Sequence, residues 1–281
     1  MILIYAVATT IVSAMLNIYG RHVLKDVSAH AYAVVANLIG GIIFIPIALS
    51  NISFVTTSQT LVALFMSSCV WATAIILNTL SNKMAHVSVR APVSQSKLLW
   101  VLIFSVVLLK ESVSLQQAGA IGIIFIGLSI LLWHPEYKFG SLKDPGIRWT
   151  LVGAVVSALT AIVDKYALNF VSVELYGLFM FTLPGVILLL FTPKKGEDIR
   201  HILRVHLKRI LPISLMMVGS YYGALKMYSL LPISIAYPIL QFSTLITVVG
   251  GIFILKEKEH LWQKIIAAIF VIIGSVIFKL G

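Results

Sequence analysis

Apolar runs of about twenty residues, the length that crosses the hydrocarbon core of a bilayer, recur along this whole chain. Bounded by charged or turn-forming residues, they fall at 2–20, 30–50, 60–82, 88–109, 115–133, 149–168, 173–192, 210–231, 233–255 and 261–280. Of 281 residues, 11% are charged and 59% apolar, where soluble domains average about 25% and about 45–50%. Most of the chain cannot face water. A transmembrane β-barrel would alternate polar and apolar residues in segments of about ten, and runs such as Leu151 to Leu159 do not. The sequence therefore predicts an all-α polytopic membrane protein with ten transmembrane helices. The short connections leave no room for a soluble catalytic domain.

The formal net charge of +11 invites a nucleic-acid reading, but membrane proteins gather Lys and Arg in cytoplasmic loops. Loops after spans 1, 3, 5, 7 and 9 hold 16 of the 21 Lys and Arg, which predicts that this face is cytoplasmic and both termini outside. The first run has no basic segment before it and no small-residue cleavage site, so it reads as a span, not as a cleaved signal peptide. Cys69 has no second cysteine to pair with.

Laying the second half of the chain on the first exposes a repeat. At an offset of 146, Ser88, Pro92, Gln95, Leu99, Leu109, Lys110, Glu111, Leu115 and Gln117 meet identical residues, nine identities in thirty positions. At an offset of 144, Val12, Ser13, Ala14, Ile18, Leu24, Val27, Ser28 and Tyr32 do the same, and Arg21 meets Lys165. Polar and proline matches are not expected by chance among apolar spans. The expected organisation is a five-helix repeat at 1–133, a turn-rich linker at 134–148 and a second repeat at 149–281. Because five is odd, the second copy enters the bilayer in the opposite sense, giving the inverted repeats of many secondary transporters.

The segments Pro92 to Leu132 and Pro238 to Phe278 each open their fourth span with a proline, end it in Leu-Lys-Glu and carry a glutamine soon after. In this the chain resembles the two halves of EamA-type members of the drug/metabolite transporter superfamily. The resemblance implies a ten-helix carrier with a central cavity between helices 1, 3, 4, 6, 8 and 9, helices 5 and 10 at the back, and both termini inside, against the charge argument. Relatives that couple to protons through an acid in the first helix differ from this chain, whose residues 1–20 contain no Asp or Glu.

Polar residues present in only one repeat are the natural candidates for contact with an asymmetric solute. Lys97 lies in the middle of span 4 opposite Ser243; a charged Lys there costs roughly 2.5–3.5 kcal/mol and faces a cavity or snorkels to the interface. Trp100 shares its face three residues on. Lys226 lies in the last third of span 8 with Tyr222 one turn before it. Asp164, the one acid well inside a span, is open to pairing with Lys97 or Lys226, to binding an amine or a proton, or to a wetted position near the end of span 6. Arg21 and Lys165 match the basic residue that the family carries at the ends of its first and sixth helices. Gln95 and Gln241, one turn after Pro92 and Pro238, line either a helix contact or a cavity wall. Small residues in spans 5 and 10, Gly122 among them, suggest that these helices pack together or against a second protomer.

No GxSxG elbow, HExxH or Walker loop is present, and His201 and His206, five apart, form a poor metal pair. Enzyme activity, cofactor and metal are therefore not expected. The favoured reading is a multi-pass plasma-membrane transporter, monomeric or homodimeric, that moves a small anionic or zwitterionic metabolite by alternating access. The alternatives are export or flipping of an amphipathic or lipid-linked compound, a non-transporting membrane protein, and an intramembrane enzyme.

Overall fold

The computed structural model describes residues 2–23, 28–53, 57–84, 93–132, 145–191, 195–253 and 261–280. Nearly all of these are helical, as ten apolar spans require when no water is available to satisfy the backbone. The helices are α1 (Ile2–Val23), α2 (Ala29–Leu49), α3 (Ser58–Met84), α4 (Lys97–Leu108), α5 (Leu115–Leu132), α6 (Pro145–Ala167), α7 (Val173–Phe191), α8 (Lys195–His201), α9 (Leu207–Leu230), α10 (Ile233–Phe253) and α11 (Leu261–Leu280). A π turn, Ile202–His206, joins α8 to α9. Among the described residues, four segments are long and apolar enough to cross a membrane outright, His30–Leu49, Ser58–Asn78, Pro145–Ala167 and Val173–Phe191, and shorter apolar helices accompany them. Leu3, Ile42, Leu61, Phe65, Leu190 and Phe191 point outward, an exterior suited to lipid.

Two compact units result, Met1–Ile76 with Val163–Leu231 and Leu77–Ile162 with Pro232–Gly281. They are not the sequence halves, since each draws on both and the boundaries run through α3 and α6. Lipid gives apolar helices no solvent-driven reason to associate, so close packing has to hold them. In the first unit, α2 packs on α7 and α1 on α9. The α2–α7 contact works because Gly177 lies directly against the ring of Phe44, where a Cβ would collide. Phe44, Phe181 and Val218 form the core beside it. Ser13 of α1 is hydrogen-bonded to Ser220 of α9.

In the second unit, α5 and α11 make the most extensive helix contact. Gln116, at the start of α5, donates to the Ile277 carbonyl near the end of α11, and Gln263, at the start of α11, donates to Ile130 near the end of α5. These two repeat-related helices are thus antiparallel. Their pairing fits the sequence expectation, but not through Gly122, whose α-carbon faces open space. Gly127 and Gly274 make the close approach instead, to Ala267 and Phe270 and to Ala120 and Ile124.

Span 4 is not an uninterrupted helix through Lys97. Gln95 and Ser96 form a turn tightened by three-residue bonds, Ser96 N–H to Val93, Leu98 N–H to Gln95 and Leu99 N–H to Ser96, after which α4 begins. The Leu-Lys-Glu ending has a structural reason. Lys110 takes a left-handed φ of 58°, and Glu111 then accepts the backbone N–H groups of Ile233 and Ser234 at 2.7 and 2.9 Å. A carboxylate there satisfies donors that the first turn of α10 would leave orphaned and complements its dipole. Pro92, residues 134–144 of the expected linker 134–148 and the second Leu-Lys-Glu at 255–257 lie outside the described residues, and the linker's last four residues belong to α6.

Candidate functional site

The sequence-selected residues divide between the units. Lys97, Trp100, Gln95 and Gln241 belong to the second. Lys97 is half-buried at the opening of α4, Trp100 is tilted against Phe104 with centroids 5.9 Å apart, and both glutamines are buried. No hydrogen bond is found for the buried Gln95 Oε1 among the described residues. Lys226, Tyr222, Asp164 and Lys165 belong to the first unit. Arg21 lies within α1 there, but its side chain is outside the described residues.

Asp164 is neither paired with a lysine nor wetted. It is 1% exposed, one turn before the end of α6. The indole N–H of Trp71 in α3 donates to its Oδ1 at 2.9 Å and the Tyr176 hydroxyl in α7 donates at 2.7 Å. The turn after Ala167 reverses the chain and brings Tyr176 back beside Asp164 from only twelve residues on. Two donors on one oxygen make this buried carboxylate tolerable and fix the indole in return.

Lys226 has a different partner, and the sequence reading missed it. Its Nζ is 2.6 Å from Oε1 of Glu174, in the first turn of α7. Tyr222 donates to the same oxygen at 3.1 Å, and Asn51 Nδ2 donates to Oε2 at 3.2 Å. A charge at the very edge of a predicted span looked like a boundary, yet α7 begins at Val173 and buries Glu174. Lys165 donates to the carbonyls of Tyr228 and, at 3.0 Å, Leu231, closing the C-terminal end of α9.

The first unit also holds a cavity of about 370 Å³, lined by Tyr32, Asn37, Trp71, Phe181, Ser220 and Tyr221 with Leu16, Ile75, Met180, Met217 and small alanines. Trp71 meets Tyr221 edge-on at 5.3 Å, and Tyr221 meets Phe181 edge-on at 5.6 Å. The aromatic wall is therefore anchored on Asp164 through Trp71. Trp71 could have been selected from sequence, because a Trp in mid-span lies away from the interfacial belts where the residue is usual. Tyr32 and Tyr176 are repeat partners, and only the first lines the cavity.

A helical chain that crosses the membrane many times and holds a cavity whose wall is tied to a buried carboxylate has the build of a membrane transporter. The model of the EamA-like transporter family matches residues 1–133 and 144–280, and the chain belongs to that family, within the drug/metabolite transporter superfamily. A protein of Archaeoglobus fulgidus described as an uncharacterized transporter is 25% identical over 266 residues, covering 92% of this chain and 91% of that protein. A crystal structure superposes with a TM-score of 0.72 at 15% identity, covering 99% of this chain and 96% of the other, a likeness of fold.

Proposed function

We propose that this protein is a secondary transporter that works by alternating access between two inverted five-helix repeats and binds its solute in the aromatic cavity of the first unit. The observation that carries the reading is that cavity, with an indole tied to a buried carboxylate in its wall. Antiparallel packing of the repeat-related α5 and α11 supports the inverted arrangement. The solute is a small amphipathic molecule with an apolar or aromatic body, because Asn37 and Ser220 are the main polar side chains on the wall and the volume is near the lower end of the roughly 300–1,000 Å³ of ligand pockets.

Within this unit Lys226 is paired with Glu174 and Lys165 is bound to carbonyls, and neither lines the cavity. Ring faces favour an ammonium group over an anion. The favoured cargo is thus an amine-bearing or zwitterionic amphiphile, which brings the reading close to export of amphipathic compounds. A thermal-shift screen of the purified protein against aromatic amines, amino acids and sugar phosphates tests it, since a binder stabilises by mass action. Aromatic amines should raise Tm, and Ala224→Phe, which fills the cavity, should remove the effect. Stabilisation by sugar phosphates alone, unchanged in Ala224→Phe, would move the site elsewhere.

A further inference from the structure

The helical path from Lys195 through the π turn to Leu230 is about 50 Å long at 1.5 Å per residue, well beyond the roughly 30 Å of a hydrocarbon core. A path of that length leaves part of itself for the headgroup layer, and its packing shows which. Ile202 and Ile210, four residues either side of the buried His206, form a stripe at i, i+4 and i+8. The two isoleucines pack on Ala31, Val35 and Ala36, the first two turns of α2. The segment 195–211 thus lies level with the beginning of a membrane span.

Arg200, Arg204 and Lys208 repeat the same four-residue spacing two positions away, about 160–200° round the helix from the packed stripe. All three are exposed, and among the described residues none makes an ion pair, although Glu197 and Asp198 are near in sequence. Leu203, Val205 and Leu211, interleaved with them, are exposed as well. Aliphatic side chains that project from the same element as a line of cations suit the boundary where acyl chains meet phosphates, and anionic headgroups are the charges available there.

We propose that the Arg200, Arg204 and Lys208 stripe is a binding surface for anionic phospholipid headgroups, which fix the α8–α9 junction at the membrane interface. The long cationic stems sit over lipid with their charged ends at the phosphate level. The surface is separate from the solute cavity, none of whose lining residues lies between Lys195 and Leu211.

The test compares thermal stability in nanodiscs of pure phosphatidylcholine with nanodiscs containing one third phosphatidylglycerol. Wild type should gain at least about 2 °C from phosphatidylglycerol, a shift within ordinary resolution for a chain of this size, and the gain should shrink in 0.5 M salt. The triple variant Arg200→Gln, Arg204→Gln, Lys208→Gln should match wild type in phosphatidylcholine and lose the gain, whereas Arg200→Lys with Arg204→Lys should keep it. If the triple variant folds poorly, Arg204→Gln alone should reduce the gain. Inorganic phosphate at millimolar concentration should not reproduce it. An undiminished gain in the glutamine variants, no gain in wild type, or an equal gain from inorganic phosphate would each overturn the proposal.

Discussion

Glu174 carries more of the first unit's polar organisation than its place at the edge of a span suggests. Its two carboxylate oxygens take Lys226, Tyr222 and Asn51, and so join α7, α9 and the turn after α2. Lys226→Met leaves that carboxylate buried with neutral donors only, and the expected loss is about 1.5–3 kcal/mol, the range for hydrogen bonds to charged groups. Glu174→Gln strands the lysine and should cost a similar amount. The double variant should cost clearly less than the two losses added, which denaturation of all four proteins in detergent measures. Strict additivity would mean that the 2.6 Å contact contributes nothing to stability. At this scale the sequence disclosed which residues were unusual but not what they touch. Lys226 and Asp164 stand out because charge is rare in spans. Their partners come from other helices, and no spacing along the chain encodes that Trp71 meets Asp164 across 93 positions.

At the scale of elements, hydropathy placed nearly every span to within a few residues, the repeat marked α5 and α11 as equivalent helices, and their small residues suggested that they pack together or against a second protomer. The register of that packing was not legible. Span 5 carries Ala118, Gly119, Ala120, Gly122 and Gly127 round most of its circumference, so composition alone cannot choose the interface. Without a side chain, Gly127 admits the Ala267 carbonyl and Phe270, as Gly274 admits the Ala120 carbonyl. Gly127→Leu and Gly274→Leu should each destabilise by about 1–3 kcal/mol or more, the range for overpacking, whereas Gly122→Leu should be tolerated. Thermal melts of the three variants, read with size-exclusion profiles, check the order. Greater damage from Gly122→Leu than from Gly127→Leu would show that its open face is covered in the membrane. The turn at Gln95 and Ser96 was equally hidden, because neither residue breaks helices and the interruption is held by bonds local to Val93 through Leu99.

For the whole molecule the open structural quantity is its sense in the membrane, on which the loop charges and the resemblance to ten-helix relatives disagree. Ten spans put both termini on one side, so a single well-placed label decides the matter. The segment between α7 and α9 is the best place for it. Six of the 21 Lys and Arg lie between Lys194 and Arg209, near the membrane ends, where positive charge resists translocation. Gly196 is exposed, with nothing within 4 Å of where a side chain would begin, so Gly196→Cys can be introduced without disturbing α8. Cys69, the single native cysteine, is partly buried in α3 and is replaced by Ser to silence the background. In intact cells the introduced thiol should resist a membrane-impermeant maleimide, then react after the cells are opened. That result would put the basic loops, the cationic stripe of Arg200, Arg204 and Lys208 and their phospholipid partners in the cytoplasmic leaflet, with Lys110 and both termini on the other side. Labelling of intact cells would reverse every one of these assignments together, because the position of the α8–α9 junction at an interface does not depend on which interface it is.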